Sequence, residues 1–263
     1  GLDLTDWRND VAEKGKLTNL DEIIQFVKDE KPLNPIFVDC TASYDLPNRY
    51  LDILEAGMHI ATPNKRANSM SMDFYHELRK TANRMHRRFL YETNVGAGLP
   101  IIDTLQNLFK SGDKLTGFYG IMSGSLSYIF GRLDEGVSFS RAVIEAREKR
   151  YTEPDPRDDL AGLDVARKAL IIAREAGISL ELEDITMHNV FPEGFDSTGT
   201  IEEFLNKLPQ VDDYFAKKVS DLKKQGKVLR MAASIEEGKV SVGMIEVDEN
   251  NPLYGIRGGE NAF

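Results

Sequence analysis

The residues with the clearest potential for chemistry lie in the seventeen-residue segment 152–168, where carboxylates lead up to a lysine. The carboxylates are Glu153, Asp155, Asp158, Asp159 and Asp164. Asp164 and Lys168 are four residues apart, which places them on one face of a helix. Taken alone, this spacing is most simply a surface ion pair worth about 0.3–0.5 kcal/mol. The concentration of acids favours a site, because a lysine held among carboxylates can exchange a proton with a reacting oxygen.

The residues around this pair should hold the segment in place. Pro154 and Pro156 keep the residues before them extended, so that Glu153 is presented from a stiff stretch of chain. Asp158 or Asp159 is expected to cap the helix that follows. The predicted buried stripe of that helix consists of Leu163, Ala166, Leu170 and Ala173.

Upstream of the segment, short apolar runs alternate with helical patterns. Strands are predicted at 36–40, 59–62 and 89–92, and helices near 46–56 and 71–85. This alternation is typical of the α/β class, with a parallel sheet covered on both faces in the doubly wound (Rossmann-like) arrangement. A dinucleotide-binding domain of this kind opens with a G-x-G-x-x-G turn, whereas the near match Gly96-Ala-Gly98 has no third glycine. We therefore expect an incomplete nucleotide-binding domain and a chain that is a fragment.

The remaining patterns predict a second, mixed α+β unit. The expected helices, besides the one carrying Lys168, are 125–135, 138–150, 198–207 and 211–226. The expected strands are 116–122, 228–235 and 239–247, of which the last two form a hairpin joined at 236–239.

Composition excludes several classes of function. The chain has 33 basic and 43 acidic residues, and its net charge of -10 argues against nonspecific binding to nucleic acid or to an anionic membrane. No apolar run is long enough to cross a bilayer and no secretory segment opens the chain, so a cytoplasmic location is expected. The single cysteine, Cys40, excludes an internal disulfide and is expected to be buried. Trp7 is likewise expected to pack against the core.

Three motifs of the sequence resemble those of homoserine dehydrogenases. They are the segment 153–168, the stretch 92–100 (ETNVGAGLP) and the turn 62–65 (TPNK). The resemblance runs along nearly the whole chain, and more narrowly it is to the dehydrogenase half of a bifunctional aspartokinase–homoserine dehydrogenase. One position departs from the family, which usually has a glycine where this chain has Arg150. A glycine there would suit a close approach of the backbone to a cofactor.

The resemblance implies a function and a domain organisation. The implied activity is the reversible, NAD(P)-dependent interconversion of L-homoserine and L-aspartate 4-semialdehyde, in the biosynthesis of threonine, methionine and isoleucine. NADP or NAD is the implied cofactor, the partner is a small-molecule substrate, and the protein is expected to be a homo-oligomer preceded by an aspartokinase domain. Residues 1–97 are then a partial NAD(P)-binding domain, and residues 98–263 a catalytic, substrate-binding and dimerisation domain.

The resemblance also implies roles for individual residues. Lys168 moves a proton, Asp164 and Glu153 hold the substrate, and Lys65 orients the substrate carboxylate or polarises its carbonyl. Further substrate contacts are implied at Asp158 and Ser125. The implied cofactor contacts are Thr41, Ser43 and Lys65. A monovalent cation, Na⁺ or K⁺, is expected on main-chain oxygens at Glu92, Val95, Ala97 and Leu99.

Each of these assignments has a simpler alternative. The turn 62–65 also fits an ordinary strand-to-helix connection, the glycine turn 96–98 also fits a crossing between domains, and Ser125 also fits a helix cap, as do Thr41 and Ser43. The chain as a whole also fits a non-catalytic assembly module whose nucleotide half cannot close. Another two-domain dehydrogenase of small carbonyl substrates is the remaining alternative.

Overall fold

The computed structural model of the chain describes residues 5–16 and 18–263 and opens with helices around a small parallel sheet. The elements of this first part are α1 (Trp7–Lys14), α2 (Leu20–Glu30), β1 (Ile36–Val38), α3 (Tyr50–Glu55), β2 (His59–Ala61), α4 (Arg66–Ser69), α5 (Met72–Arg84) and β3 (Phe89–Leu90). The strands pair in parallel in the order β1-β2-β3. The predicted alternation of strands and helices around a parallel sheet is therefore confirmed.

The core of this first sheet forms because apolar residues recur at helical spacing on the helices that cover it. Ile53 and Leu54 of α3 and Leu78 of α5 are fully buried, as is Ile60 of β2. Strand β1 differs, because its alternate residues Ile36 and Val38 are each 62% exposed. The expected cover on both faces is thus missing at β1 within the described residues.

The rest of the chain forms a second, mostly antiparallel sheet with helices packed against it. Its elements are α6 (Ile101–Lys110), β4 (Gly117–Gly120), α7 (Gly124–Asp134), α8 (Phe139–Glu148), α9 (Pro156–Leu160), α10 (Leu163–Glu175), β5 (Thr186–Met187), α11 (Ile201–Lys207), α12 (Asp212–Lys224), β6 (Lys227–Glu236) and β7 (Lys239–Asp248). The strand order is β4-β6-β7-β5, with only β5 parallel to its neighbour. The mixed α+β unit predicted from the sequence is confirmed.

The predicted hairpin lies between β6 and β7. Glu236 pairs with Lys239, and the two residues between them, Glu237 and Gly238, have φ values of 48° and 78°. Positive φ at both central residues gives the turn whose twist matches that of paired strands. A glycine at the second position makes this conformation inexpensive.

Helix α10 carries the predicted acid–lysine pair and is buried over much of its surface. Ala166, Leu170 and Ala173 are buried as predicted, but Leu163 is 41% exposed because it lies in the first turn, at a cavity described below. The apolar face is broader than predicted and also includes Val165, Ala169, Ile171 and Ile172.

Two further expectations about burial are wrong. Cys40 is exposed, because it follows the end of β1 at the edge of the sheet rather than pointing into the core. Trp7 is 51% exposed, because none of the residues of α1 is buried. Among residues 5–16 and 18–263, no helix combines the length and apolarity needed to cross a membrane.

The last two residues of α10 join the two parts of the chain. The buried Arg174 donates hydrogen bonds to the carbonyls of Asn68 and Met70, at the end of α4, and to the carbonyl of Leu180. It also forms an ion pair with Glu181 at 2.8 Å. The same helix thus holds α4 at one end and the predicted proton-transfer residues near the other.

Glu175 makes the second set of contacts at this junction. Its carboxylate accepts hydrogen bonds from Arg79 on α5 (2.9 Å), from the hydroxyl of Tyr91 (2.6 Å) and from Gln106 on α6 (3.0 Å). Burial, followed by the charge of Glu175, raises the pKa of Tyr91 well above its usual range. Tyr91 therefore stays protonated and keeps donating to Glu175.

Candidate active site

Asp164 lies between two lysines that come from different parts of the chain. Its Oδ2 is 2.8 Å from Nζ of Lys168, one turn later on α10, and its Oδ1 is 3.1 Å from Nζ of Lys65. Burial of the carboxylate would raise its pKa, but the charges and hydrogen bonds of Lys168 and Lys65 together lower it below its usual range. Asp164 is therefore a carboxylate that holds two ammonium groups side by side.

Lys168 is held on a second side by the main chain that follows β4. Its Nζ donates to the carbonyl oxygen of Met122 at 2.5 Å, and Met122 is fully buried. An ammonium has three donor positions, and Asp164 and Met122 use two of them. The third is left for another oxygen.

Lys65 is positioned by a hydrogen-bonded turn after β2. The Thr62 hydroxyl donates to the carbonyl of Asp39 and accepts from the main-chain N–H of Asn64. The Asn64 amide donates to the Asp39 carboxylate and to the carbonyl of Ser43. This turn lies at the carboxyl edge of the parallel sheet, where open α/β sheets bind ligands.

A cavity of about 540 Å³ lies between the loops that follow β1 and β2 and the first turns of α10. Its lining includes Lys65, Glu153, Asp158, Asp159 and Asp164. The sequence predicted that all five acids of the segment share one site, and four of the five line this cavity. Asp155 is the exception, because its carboxylate caps α9 at the N–H of Arg157 and forms an ion pair with that side chain at 2.6 Å.

Asp159 has a positioning role that the sequence did not predict. Its Oδ1 accepts from the Ser125 hydroxyl at 2.6 Å, and its Oδ2 accepts from the main-chain N–H of Glu153 at 2.8 Å. Neither Asp158 nor Asp159 caps the motif helix as expected, because α9 is capped by Asp155 and α10 begins after Gly162 at a φ of 70°. The helix-cap alternative for Ser125 is also wrong, since Ser123 caps α7.

The candidate cofactor residues Thr41 and Ser43 lie in the loop after β1. Thr41 donates its hydroxyl and its N–H to the Asp39 carboxylate. Ser43 Oγ accepts from the N–H groups of Asp45 and Leu46, so Ser43 caps the turn that follows. The Ser43 hydroxyl hydrogen has no acceptor among the described residues, so it is free to donate to a ligand. The cofactor contacts of both residues stay predictions.

The four candidate cation positions follow one another in the turn between β3 and α6. The Glu92 carboxylate accepts from the N–H groups of Ile102 and Asp103, and so caps α6. In the described part of the chain, nothing donates a hydrogen bond to the carbonyls of Val95 or Ala97. The Leu99 carbonyl accepts from the N–H of Ile101. The described residues hold no cluster of His, Cys, Asp or Glu suited to a metal.

The position that departs from the family has a special backbone conformation. Arg150 has a φ of 59°, in the left-handed region that a residue with a Cβ adopts only at a cost. A glycine would adopt the same conformation without this cost.

A parallel, Rossmann-like sheet joined to a mixed α+β unit, with Lys65 and carboxylates lining the cavity between them and Lys168 paired with one of those carboxylates, is the arrangement of two-domain dehydrogenases that use a nicotinamide dinucleotide. Comparison with known proteins agrees at the level of the family. Residues 2–92 match the family model described as "Homoserine dehydrogenase, NAD binding domain", and residues 100–263 match the model "Homoserine dehydrogenase". The chain belongs to the homoserine dehydrogenase family.

Individual relatives show how much of a longer protein this chain resembles. It is 51% identical over 263 residues to a bifunctional aspartokinase/homoserine dehydrogenase of Haemophilus influenzae, covering 100% of this chain and 32% of that protein. It is 37% identical to a homoserine dehydrogenase of Schizosaccharomyces pombe, covering 99% of this chain and 71% of the relative. The chain thus spans about a third of the length of the bifunctional relatives it matches.

Solved structures agree with the fold. A crystal structure of a Candida auris protein of unknown function superimposes with a TM-score of 0.90 at 37% identity, over 97% of this chain and 74% of that one. A hyperthermophilic archaeal homoserine dehydrogenase in complex with NADPH superimposes with a TM-score of 0.69 at 23% identity, over 99% of this chain and 72% of that one. The second match supports the fold alone.

Proposed function

We propose that this chain carries the site at which L-homoserine and L-aspartate 4-semialdehyde are interconverted with NADP or NAD. The observation that supports this proposal is the Asp164 carboxylate shared by Lys65 and Lys168 beside the acidic cavity. Reduction of the aldehyde requires a group that gives a proton to the oxygen as hydride adds to the carbon, and oxidation of the alcohol requires the same group, deprotonated, to take that proton back. Lys168, held on two sides and with one N–H left to donate, suits the first role as an ammonium and the second as a neutral amine.

The neighbouring residues divide the remaining tasks. Asp164 keeps Lys65 and Lys168 in place, and Lys65 has donor positions left with which to polarise the substrate carbonyl. Glu153 and Asp158 are exposed carboxylates in the same cavity and suit the substrate's ammonium group. Asp159 and Ser125 position the Glu153 main chain, so Ser125 acts on the substrate through Asp159.

The residues suited to the cofactor lie at the carboxyl edge of the parallel sheet. Ser43 keeps a hydroxyl hydrogen to donate, Lys65 keeps ammonium donors, and Thr41 lies beside them with its side chain held by Asp39. A nicotinamide dinucleotide supplies hydride transfer when bound. The chemistry of Ser43 and Lys65 fits its ribose and carboxamide groups.

Several wider features of the protein are part of the same proposal. The bifunctional relatives support an aspartokinase domain in the complete protein. The free carbonyls of Val95 and Ala97 suit a weakly held Na⁺ or K⁺.

Residues 1–97 and 98–263 are proposed as the partial nucleotide-binding domain and the catalytic domain. Homo-oligomerisation and a cytoplasmic location stay predictions from the sequence, and plant relatives are named as chloroplastic.

Measuring dinucleotide reduction by the complete polypeptide tests the proposed reaction. L-homoserine should support NADP⁺ or NAD⁺ reduction far better than other small hydroxy acids and alcohols presented at equal concentration. Equal rates with unrelated alcohols would favour another two-domain dehydrogenase of small carbonyl substrates.

The exposed face of β1 favours a second candidate for the isolated 263-residue chain, a folded assembly module that does not bind the dinucleotide. Ile36 and Val38 leave that edge of the nucleotide-binding sheet uncovered. Titration of NADPH into the isolated chain, followed by its fluorescence, distinguishes the two. Micromolar binding would contradict the module, and absence of binding would support it.

A further inference from the structure

Arg167 is a half-buried arginine that makes no direct ion pair within the described part of the chain. It lies on α10, one turn after Asp164 and directly before Lys168, and it lines the same cavity as Asp164. Its guanidinium forms no hydrogen bond or ion pair with any residue of 5–16 or 18–263. Partly buried charges are normally paired, because water no longer solvates them fully.

Other arginines of the chain show how unusual this is. Five partly or fully buried arginines each have a carboxylate partner, in the pairs Arg79–Glu175, Arg132–Glu145, Arg157–Asp155, Arg174–Glu181 and Arg230–Asp134. Arg167 instead has a second cation nearby. Burial and then the charge of Arg66 lower the pKa of Arg167 below its usual range, and the charge of Asp164, which already pairs with two lysines, offsets this only in part.

Arg66 is also held without a carboxylate. Its guanidinium carbon lies 3.3 Å from the centre of the Tyr44 ring, and it forms no ion pair within the described part of the chain. Stacking on an aromatic ring fixes the plane of a guanidinium but leaves its N–H donors free. Tyr44 lines the cavity beside Arg167. Of these two arginines with free donors, Arg167 therefore lines the acidic cavity and Arg66 is stacked on a residue that lines it.

We propose that Arg167 and Arg66, with Tyr44 beneath the Arg66 guanidinium, bind the carboxylate of the amino-acid substrate. This assignment rests on the proposed function and identifies a substrate contact that the motif 152–168 alone did not indicate. Guanidinium groups match a carboxylate in charge and in planar geometry. The charge left unbalanced between Arg66 and Arg167 is neutralised when the substrate binds.

The distribution of charge in the cavity favours the substrate over the dinucleotide as the source of this anion. An amino acid has an ammonium and a carboxylate a few ångströms apart. The cavity offers acids from the segment before α10, Glu153 and Asp158, together with a cation, Arg167, on the helix that carries Lys168. Because Arg167 and Asp164 are three residues apart on one helix face, an anion at Arg167 stays within reach of a small substrate at Lys168.

The test compares two ligands that differ only in this anion, using the complete polypeptide. L-homoserine and its carboxamide have the same size, but the carboxamide has no negative charge. Arg167→Gln should raise KM for L-homoserine about 10- to 100-fold, as expected for the loss of a charge-assisted hydrogen bond. It should leave KM for the carboxamide and Kd for NADPH nearly unchanged. Arg66→Gln should raise the same KM by a smaller factor, and Arg167→Lys should restore part of the affinity.

Arg84→Gln is a matched control, because Arg84 is exposed and pairs with Glu55 away from the cavity. It should leave both KM values as they are. An unchanged KM for L-homoserine in both Arg167→Gln and Arg66→Gln would overturn the subsite while leaving the proposed function intact. A weaker Kd for NADPH with an unchanged KM would assign the two arginines to a phosphate of the dinucleotide and also overturn it. If the wild-type protein does not oxidise L-homoserine, the proposed function and the subsite both fail.

Discussion

Replacing Arg174 with methionine is expected to destabilise the chain by about 3 kcal/mol. The buried guanidinium donates to three main-chain carbonyls, those of Asn68, Met70 and Leu180, and methionine offers no donor to any of them. A buried acceptor left without a partner costs about 1–3 kcal/mol, and the lower value applies here because each carbonyl keeps a second lone pair that water or a neighbour can use. The ion pair with Glu181 adds little, since Glu181 is 43% exposed.

The assay is urea unfolding of the 263-residue chain, followed by circular dichroism. Arg84→Met is the matched control, because it makes the same chemical change at an exposed pair whose loss should cost under about 1 kcal/mol. An Arg174→Met variant no less stable than Arg84→Met would refute the idea that α10 clamps α4 through this side chain. Lys65 directly precedes α4, so Arg174 would in that case not be needed to hold Lys65 beside Asp164 either.

Three further perturbations test other parts of the structure. Arg150→Gly should stabilise the chain by about 1 kcal/mol in urea unfolding, because glycine tolerates the positive φ, whereas Arg150→Ala removes the same charge and should not. Gly131→Ala should destabilise it by about 1–3 kcal/mol, since a Cβ there would clash with the carbonyl oxygen of Arg257, and Gly255→Ala, which meets nothing within 4 Å, is the control. Burial would raise the pKa of Asp39, but the hydrogen bonds that its carboxylate accepts lower the pKa below the usual value. The ionised Asp39 side chain therefore stabilises the fold above about pH 4, and this stabilisation is lost as the pH falls through the lowered pKa. The stability advantage of the wild type over Asp39→Asn, measured by urea unfolding, should therefore shrink on acidification; an advantage that grows would show the sign to be wrong.

Local patterns in the sequence predicted the contacts that are local in the structure. The i,i+4 spacing of Asp164 and Lys168 gave their ion pair, and alternation with a Glu-Gly turn gave the β6–β7 hairpin. Five acids of the motif were expected at one site, and four of them line one cavity. These features depend on helix and strand geometry, which neighbouring residues determine.

Contacts between distant parts of the chain could not be predicted in this way. Lys65 reaches Asp164 across the contact between α4 and α10, to which Arg174 contributes hydrogen bonds. Asp155 was expected beside Lys168, but its charge is taken by Arg157 two residues later, a competition that spacing does not reveal. Cys40 was expected to be buried because an apolar run precedes it. Strand β1 ends at Val38, however, and Cys40 lies exposed in the loop that follows.

The central claim is that Lys168 transfers the proton of the reacting oxygen, and one substitution tests it most directly. Lys168→Ala in the complete polypeptide should lower kcat for L-homoserine oxidation by about 10²–10⁴-fold, the usual contribution of a positioned acid or base. Kd for NADPH should stay nearly unchanged, and Lys80→Ala, at an exposed lysine paired with Glu77, should have wild-type turnover. A Lys168→Ala variant with turnover close to that of the wild type would contradict the account.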